Sequence, residues 1–224
     1  MKENYYAEKL NAKKLYDVYE TDIPRIRQYL DAEIDFVRKD MKGSEHVLEL
    51  GAGYGRIMKE LAQYVGSITG IDISDGNIEL GKEYLKDCPN TELYVMDAHK
   101  IDIDKEFDVV LCLQNGLSAI KGGNPAVLVA NTLKLLKKGG RAYYSTYSPN
   151  FWDYRVAWFK EQADKGLLGE LDMEKTKDGE IICKDGFRAT TYTVSELEDL
   201  GRASGYSWHV AETDGSSIFL VIQK

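Results

Sequence analysis

The sequence predicts an α/β fold: a doubly wound, mostly parallel seven-stranded sheet with an antiparallel C-terminal hairpin, an N-terminal helical cap and a small antiparallel β insert. Three observations predict it. From residue 46 to 147, short apolar runs alternate with helix-period segments, the pattern of βαβ units feeding a parallel sheet. The run 107–113 is apolar except for Asp108, as expected of a strand covered on both faces. The chain closes with two strand-like runs on either side of Asp214-Gly215, a dipeptide suited to a hairpin turn.

The elements follow in order. Residues 1–20 are polar and carry Tyr5, Tyr6, Tyr16 and Tyr19. Residues 21–42 predict an amphipathic helix, because Ile26, Leu30, Ile34, Val37 and Met41 recur along one face, with Pro24 in the first turn and Gly43 at the end. The first strand, 46–50, runs into Gly51. Ile57, Leu61, Tyr64 and Val65 mark the next helix, and 68–73 the second strand. Residues 75–86 read as a helix in which the small Gly81 permits close packing. The third strand passes Leu93 and Val95 and ends at Asp97, and 107–113 is the fourth. A helix over 125–137 stops before Gly139-Gly140, and 141–147 is the fifth strand.

After that the rhythm changes. Residues 150–164 predict a helix capped by Asn150, with Trp152, Val156, Phe159 and Ala163 along one side. Asp-Gly turns at 178–179 and 185–186 place the small insert within 171–193. Thr193 and Glu196 form a capping box for a helix through Ala203, and 207–213 pairs with 216–222 in the closing hairpin. A single domain is thereby divided into a cap (1–43), a core (44–148), a lid helix with the insert (149–193), and a last helix with the hairpin (194–224).

A chain of 224 residues suits one domain with a well-buried core. Lys and Arg total 29 against 37 Asp and Glu, a net charge of −8. That balance speaks against nucleic acid, where affinity comes largely from Lys and Arg on phosphates, and equally against an anionic membrane surface. Cys88, Cys112 and Cys183 lie far apart without CxxC spacing, so neither a disulfide framework nor a metal cage is expected, and Cys112 reads as a core residue. The start Met1-Lys2-Glu3-Asn4-Tyr5 is too polar for a signal peptide. No apolar run approaches the roughly 18 residues of a membrane span, and a cytoplasmic location is expected. Tyrosine is abundant, 15 against 6 Phe and 3 Trp. A dry core favours Phe, so some of these tyrosines are expected to face a wet cavity.

The chemistry concentrates after the first strand, in Val47-Leu-Glu-Leu-Gly-Ala-Gly-Tyr-Gly-Arg56. Glycines there let the chain turn tightly and let a ligand approach the main chain. The dinucleotide fingerprint G-x-G-x-x-G is not met: the third glycine, Gly55, comes one place early and Arg56 stands where a glycine is wanted. Asp72 ends the second strand, where a carboxylate can accept from both hydroxyls of a ribose, and Asp97 ends the third, where one can accept from an adenine amino group. Two acids at successive strand ends beside a glycine loop describe an adenosine site without a phosphate cradle. Glu49 is also unfavourable to a pyrophosphate.

Residues 46–148 resemble the class I S-adenosylmethionine (SAM)-dependent methyltransferases. The resemblance rests on a set of motifs: Glu49-Leu-Gly-Ala-Gly-Tyr-Gly55, Gly70-Ile-Asp-Ile-Ser74, Asp97-Ala98, Phe107-Asp-Val-Val-Leu-Cys-Leu113 and Leu135-Leu-Lys-Lys-Gly-Gly140. It implies SAM as cofactor and S-adenosylhomocysteine (SAH) as product. It also implies roles: Gly51, Ala52 and Gly53 against the methionine part, Asp72 on the ribose, Ile73 against the adenine, Asp97 and Ala98 at the adenine edge, and Leu113 and Gln114 near the sulfonium. Tyr6 and Tyr16 are candidates in a cap over the cofactor, and Arg25 or Arg56 for its carboxylate.

The acceptor is less defined. Gln114-Asn115-Gly116-Leu117-Ser118 departs from the Asp/Asn-Pro-Pro-Tyr/Phe motif of enzymes that methylate amino groups of adenine or glutamine. With the negative charge, this favours a small molecule over nucleic acid, and methyl transfer driven mainly by positioning. Candidate acceptor residues are Asn115, Tyr147, Trp152, Arg188 and Tyr192. Asn115 is equally explained as a turn residue, and Arg188 as an ordinary surface arginine. His46, His99 and His209 read as structural. No catalytic base is assigned. Alternatives remain at this point: a SAM-binding module that regulates without catalysis, or a methyltransferase acting on protein or RNA.

Overall fold

The structure, a computed structural model, describes residues 12–120 and 122–224. Tyr5 and Tyr6 lie outside the described residues. Five strands carry the parallel part of the sheet: β1 His46–Leu50, β2 Ser67–Asp72, β3 Thr91–Val95, β4 Phe107–Cys112 and β5 Leu136–Tyr147. The hairpin β8 Ser207–Thr213 and β9 Ser217–Gln223 adds antiparallel beside β5, giving the seven-stranded order β3-β2-β1-β4-β5-β9-β8. Asp214 and Gly215 turn it with φ 56° and 61°. A separate two-stranded ribbon, β6 Ile181–Ile182 and β7 Arg188–Ala189, is the small insert. The order reverses between β1 and β4, and the crevice beyond those strand ends is where this architecture receives ligands.

The helices are α1 Lys13–Tyr19, α2 Pro24–Arg38, α3 Arg56–Leu61, α4 Asp75–Tyr84, α5 Gly116–Ala119, α6 Pro125–Lys134, α7 Trp152–Asp164 and α8 Val194–Ser204. α2 buries Ile26, Leu30, Ile34 and Val37, the face expected from their spacing; Met41 lies past its end. The capping box of Thr193 and Glu196 opens α8. Gly81 of α4 is a close-packing position, since a methyl group there would sit 2.4 Å from Leu93 Cδ1 and 3.1 Å from the Tyr54 carbonyl oxygen. Gly81→Ala is therefore expected to cost about 1–3 kcal/mol of stability, read by urea unfolding.

Two local expectations are corrected. The Gly139-Gly140 pair does not separate helix from strand: α6 ends at Lys134 and β5 begins at Leu136, running through both glycines. The segment is held by its neighbours. Gly139 N–H donates to Lys224 O at 2.7 Å and Lys224 N–H to Gly140 O at 3.0 Å, while a register shift against β4 absorbs the irregularity. The lid helix also differs. Ser148, not Asn150, supplies the cap, accepting from Asn150 N–H at the head of a short 3-10 turn, Pro149–Phe151. The buried residues of α7 are Arg155, Trp158, Phe159 and Gln162, so the inner face is rotated from the expected one. An apolar-period reading passes over Arg155, which is 1 % exposed because its guanidinium reaches the carbonyl oxygens of Gly179 at 2.8 Å and Ala189 at 3.1 Å.

Candidate active site

The C-terminal ends of β1, β2 and β4 open into one cavity of about 200 Å³. The turn after β1 needs its glycines: Gly51, Gly53 and Gly55 have φ of 67°, 56° and 86°, a region that side chains rarely adopt. Asp72 fixes this turn. Its Oδ2 accepts from Gly53 N–H at 3.0 Å, and its Oδ1 accepts from Ser74 N–H at 2.9 Å and Asn77 Nδ2 at 3.1 Å. The carboxylate is thus held rigidly at the cavity wall.

Beside the glycine turn stand a carboxyl group and a guanidinium. Glu49, at the fourth position of β1, is 3 % exposed, and its Oε2 has no hydrogen-bond partner among the described residues. Arg56 opens α3 with Nε and Nη2 likewise buried and unpartnered, its guanidinium 5.0 Å from the Tyr19 ring centroid. Both line the cavity. Burial pushes the Glu49 carboxyl from 4.5 up to about 8, with Arg56 opposing the rise and Asp72 adding to it. An unsatisfied buried acid and an unsatisfied buried cation are costly unless a ligand completes them. The pair is complementary to the ammonium and carboxylate of an α-amino acid.

Further along the wall lie Ile73, Asp97 and Ala98. Ile73 is 51 % exposed, an apolar surface at the end of β2 suited to the face of a purine. Asp97 Oδ1 accepts from His99 N–H at 2.9 Å. At the end of β4 the chain passes Leu113 and then two left-handed non-glycine residues, Gln114 (φ 53°) and Asn115 (φ 63°). Such backbone needs outside support. Gln114 N–H donates to Glu33 Oε2 at 2.9 Å and to Ser145 Oγ at 2.7 Å. Asn115 Nδ2 donates to Thr190 O at 2.7 Å, and its Oδ1 accepts from Thr146 Oγ1 at 2.9 Å, so its amide ties the sheet to the insert.

The structure brings most of the expected residues to the cavity: Gly51, Ala52, Gly53, Asp72, Ile73, Asp97, Ala98, Leu113, Gln114, Arg56, Asn115 and Tyr147 are on its wall. Others it does not. Arg25 points elsewhere, its Nη1 2.6 Å from Asp214 Oδ2 and its guanidinium over Phe151 at 4.8 Å. Arg188 is ion-paired with Glu180 on the insert surface. Tyr16 packs against Tyr54 and Tyr84, with ring centroids 5.4 and 6.3 Å away, outside the wall. The Trp152 ring centroid lies 5.8 Å from the Arg155 guanidinium, off the wall, and Tyr192 is partly buried against the hydrophobic core. Tyr6 is outside the described residues.

Sequence reasoning gave no site role to Glu33, Gln162 and Phe187, and read Trp158 as a packing residue of its helix as readily as a lid residue. Glu33 sits one turn after Tyr29 and one before Val37 on the buried side of α2. A charged residue at that spacing was the available signal. Burial raises its pKa, opposed by hydrogen bonds from the Ser217 and Ser145 hydroxyls and Gln114 N–H. It ties α2 to the ends of β4, β5 and β9. Glu33→Ala is expected to destabilise the protein by roughly 3 kcal/mol in urea unfolding, because it strands these donors. The other three come from α7 and the insert, which fold over the cavity.

Residues 47–140 match the family model described as a methyltransferase domain. A ubiquinone biosynthesis O-methyltransferase from Coxiella burnetii (strain Dugway 5J108-111) is 29% identical over 122 residues, 51% of this chain and 48% of the relative. The chain spans about half the length of the curated relatives it matches first. Among solved structures, a DhpI-SAM-HEP complex superposes with TM-score 0.68 at 18% identity, covering 98% of this chain and 94% of the other. The N-methyltransferase NodS from Bradyrhizobium japonicum WM9, in complex with SAH, gives 0.61 at 14% identity, with 99% of each chain covered. At these identities the likeness to solved structures is one of fold. Residues 47–140 thus match a methyltransferase-domain model, and the fold is that of the solved methyltransferases.

Proposed function

We propose that this chain binds SAM and transfers its methyl group to a small-molecule acceptor. The observation that carries the proposal is the unsatisfied pair Glu49 and Arg56 beside the glycine turn, in one cavity with Asp72. Arg56 takes the cofactor's carboxylate and Glu49 its ammonium. Gly51, Ala52 and Gly53 lie along the methionine chain. Asp72 accepts from the ribose hydroxyls, Ile73 packs on the adenine, and Asp97 and Ala98 meet its edge. When bound, the cofactor supplies a sulfonium-activated methyl group for in-line displacement. The protein's part is to orient the acceptor and keep water out, and positioning of this kind supplies roughly 7–11 kcal/mol.

A small acceptor is supported by the cover of α7 and the insert over the cavity, by the net charge of −8, and by the O-methyltransferase relatives. The division into cap, core, lid with insert, and closing hairpin is part of the same proposal, since each unit contributes one wall or the frame. A cytoplasmic location is supported by the free cysteines Cys88, Cys112 and Cys183, and no helix of the described residues is long and apolar enough to cross a membrane. Incubation with methyl-labelled SAM and a panel of metabolites tests the reading. Label appearing in a small product, with SAH formed in step, is the expected result. Tight SAM binding with no transfer across the panel overturns catalysis and leaves a binding module.

A further inference from the structure

The proposed function leaves open what the acceptor side of the cavity recognises. Aromatic rings from four elements line it: Tyr19 of α1, Tyr147 at the end of β5, Trp158 and Phe159 of α7, and Phe187 of the insert. Their mutual contacts are tilted or edge-on. Trp158 meets Tyr19 at 6.2 Å and 54°, and Phe159 at 6.4 Å and 66°, while Phe159 meets Phe187 at 5.9 Å and 34°. Such a wall offers both ring faces and ring edges, the surfaces against which a further flat ring packs well.

One polar side chain interrupts this apolar cover. The residues that α7 and the insert give the wall are Trp158, Phe159, Phe187, Ala189 and Gln162, and of these only Gln162 carries an amide. It stands four residues after Trp158 and three after Phe159, on the same buried face of α7. Gln162 is 3 % exposed. Its main-chain oxygen accepts from Leu167 N–H at 2.9 Å, but no described residue shares a hydrogen bond with its side-chain amide. Other polar groups of the wall are committed. Trp158 Nε1–H donates to Val18 O at 3.2 Å, and the Asn115 amide spans Thr190 and Thr146. Gln114 Nε2 has no partner among the described residues either, but it sits at the end of β4, where the SAM reading puts the sulfonium. Burying an amide without a partner is unfavourable, and a methionine would fill the same place without that cost. At Gln162 the chain instead keeps an acceptor oxygen and two donor hydrogens on an aromatic wall.

We propose that Gln162 is the specificity-determining residue of the acceptor subsite, and that the acceptor is an aromatic ring compound with a carboxamide or lactam edge away from the atom that is methylated. The proposal rests on the SAM reading above, which gives the charged wall residues Glu49, Arg56, Asp72 and Asp97 to the cofactor. The rings take the flat body of the acceptor. The Gln162 amide donates and accepts at once, and a second amide edge satisfies both halves of it. Gln162 exchanges no proton and touches no bond that is made or broken. It fixes how the ring is turned, and so which atom faces the methyl group.

The test uses the full chain saturated with SAH, after calorimetry has established that SAH binds. Affinities of three probes of matched shape are read by ligand-observed NMR: benzamide, acetophenone, which only accepts, and α-methylstyrene, which does neither. Gln162→Met is expected to weaken benzamide by roughly tenfold and acetophenone by less, and to leave α-methylstyrene unchanged or tighter. In the parent protein benzamide should bind roughly two- to tenfold tighter than cyclohexanecarboxamide, because the wall is aromatic. Without a probe, Gln162→Met should unfold at the same or a higher urea concentration than the parent, since no internal bond is lost. An equal change for all three probes, no binding of benzamide at millimolar concentration, or equal binding of the cyclohexane analogue overturns this proposal alone. Loss of stability or of folding in Gln162→Met would show the amide bonded within the fold, and overturns it too. Failure of SAH to bind overturns the cofactor reading and this one with it.

Discussion

Asp72→Ala is expected to weaken binding of SAM and SAH by roughly a hundredfold or more, measured by titration calorimetry. Two effects add. The charge-assisted acceptor proposed for the ribose hydroxyls is lost, and so are the internal bonds to Gly53 N–H, Ser74 N–H and Asn77 that hold the glycine turn. Asp72→Asn separates them. An amide keeps one acceptor oxygen and nearly the same shape, so the variant should retain much of the turn and lose roughly tenfold in affinity. An unchanged affinity in the alanine variant would place the ribose elsewhere.

The second large effect is a dependence on pH. Burial holds Glu49 protonated up to about pH 8 in the ligand-free protein. An ammonium group brought beside it restores the charge, so binding below that point releases close to one proton. Affinity for SAH should climb by roughly tenfold per pH unit toward that pKa and then flatten. Calorimetry in buffers of different protonation enthalpy counts the proton directly.

Ligand-free stability runs the other way. The folded-state pKa lies above the unfolded one, so between 4.5 and about 8 the native protein keeps a proton that the unfolded chain has shed. Stability from this group is full at the acid end and falls as pH rises across that window. Glu49→Gln removes both slopes. It should melt higher than the parent above pH 8, where the parent carries an uncompensated buried charge, and bind SAH roughly ten- to a hundredfold more weakly there. A flat affinity profile without proton release would break the assignment of Glu49 to the ammonium.

The proposed cofactor side of this cavity was legible because its determinants are local. The glycine turn, Asp72 at the next strand end and Asp97 at the one after are each read from a few adjacent residues, and Arg56 follows the turn directly. Arg25 was legible only as a charge. Its actual partner, Asp214, is far along the chain in the closing hairpin, and no spacing rule connects the two. The same holds for Glu33, whose burial depends on Ser145, Ser217 and the backbone of Gln114. Arg155 is buried for the carbonyls of Gly179 and Ala189. Apolar periodicity reads such residues as solvent-facing.

The sequence by itself determined the order of strands and helices, the hairpin turns, the capping box of Thr193 and Glu196 and the glycine turn, because period, capping and turn chemistry are settled within a few residues. The tertiary structure decided the rest. It turned Arg155, Trp158, Phe159 and Gln162 inward on α7, extended β5 through Gly139-Gly140 by pairing with the chain end, and set an aromatic wall from three separate elements against the strand ends. These outcomes depend on hydrogen-bond partners and packing surfaces remote in sequence. A buried charge is stable only where such partners meet it, and that meeting is a property of the assembled fold.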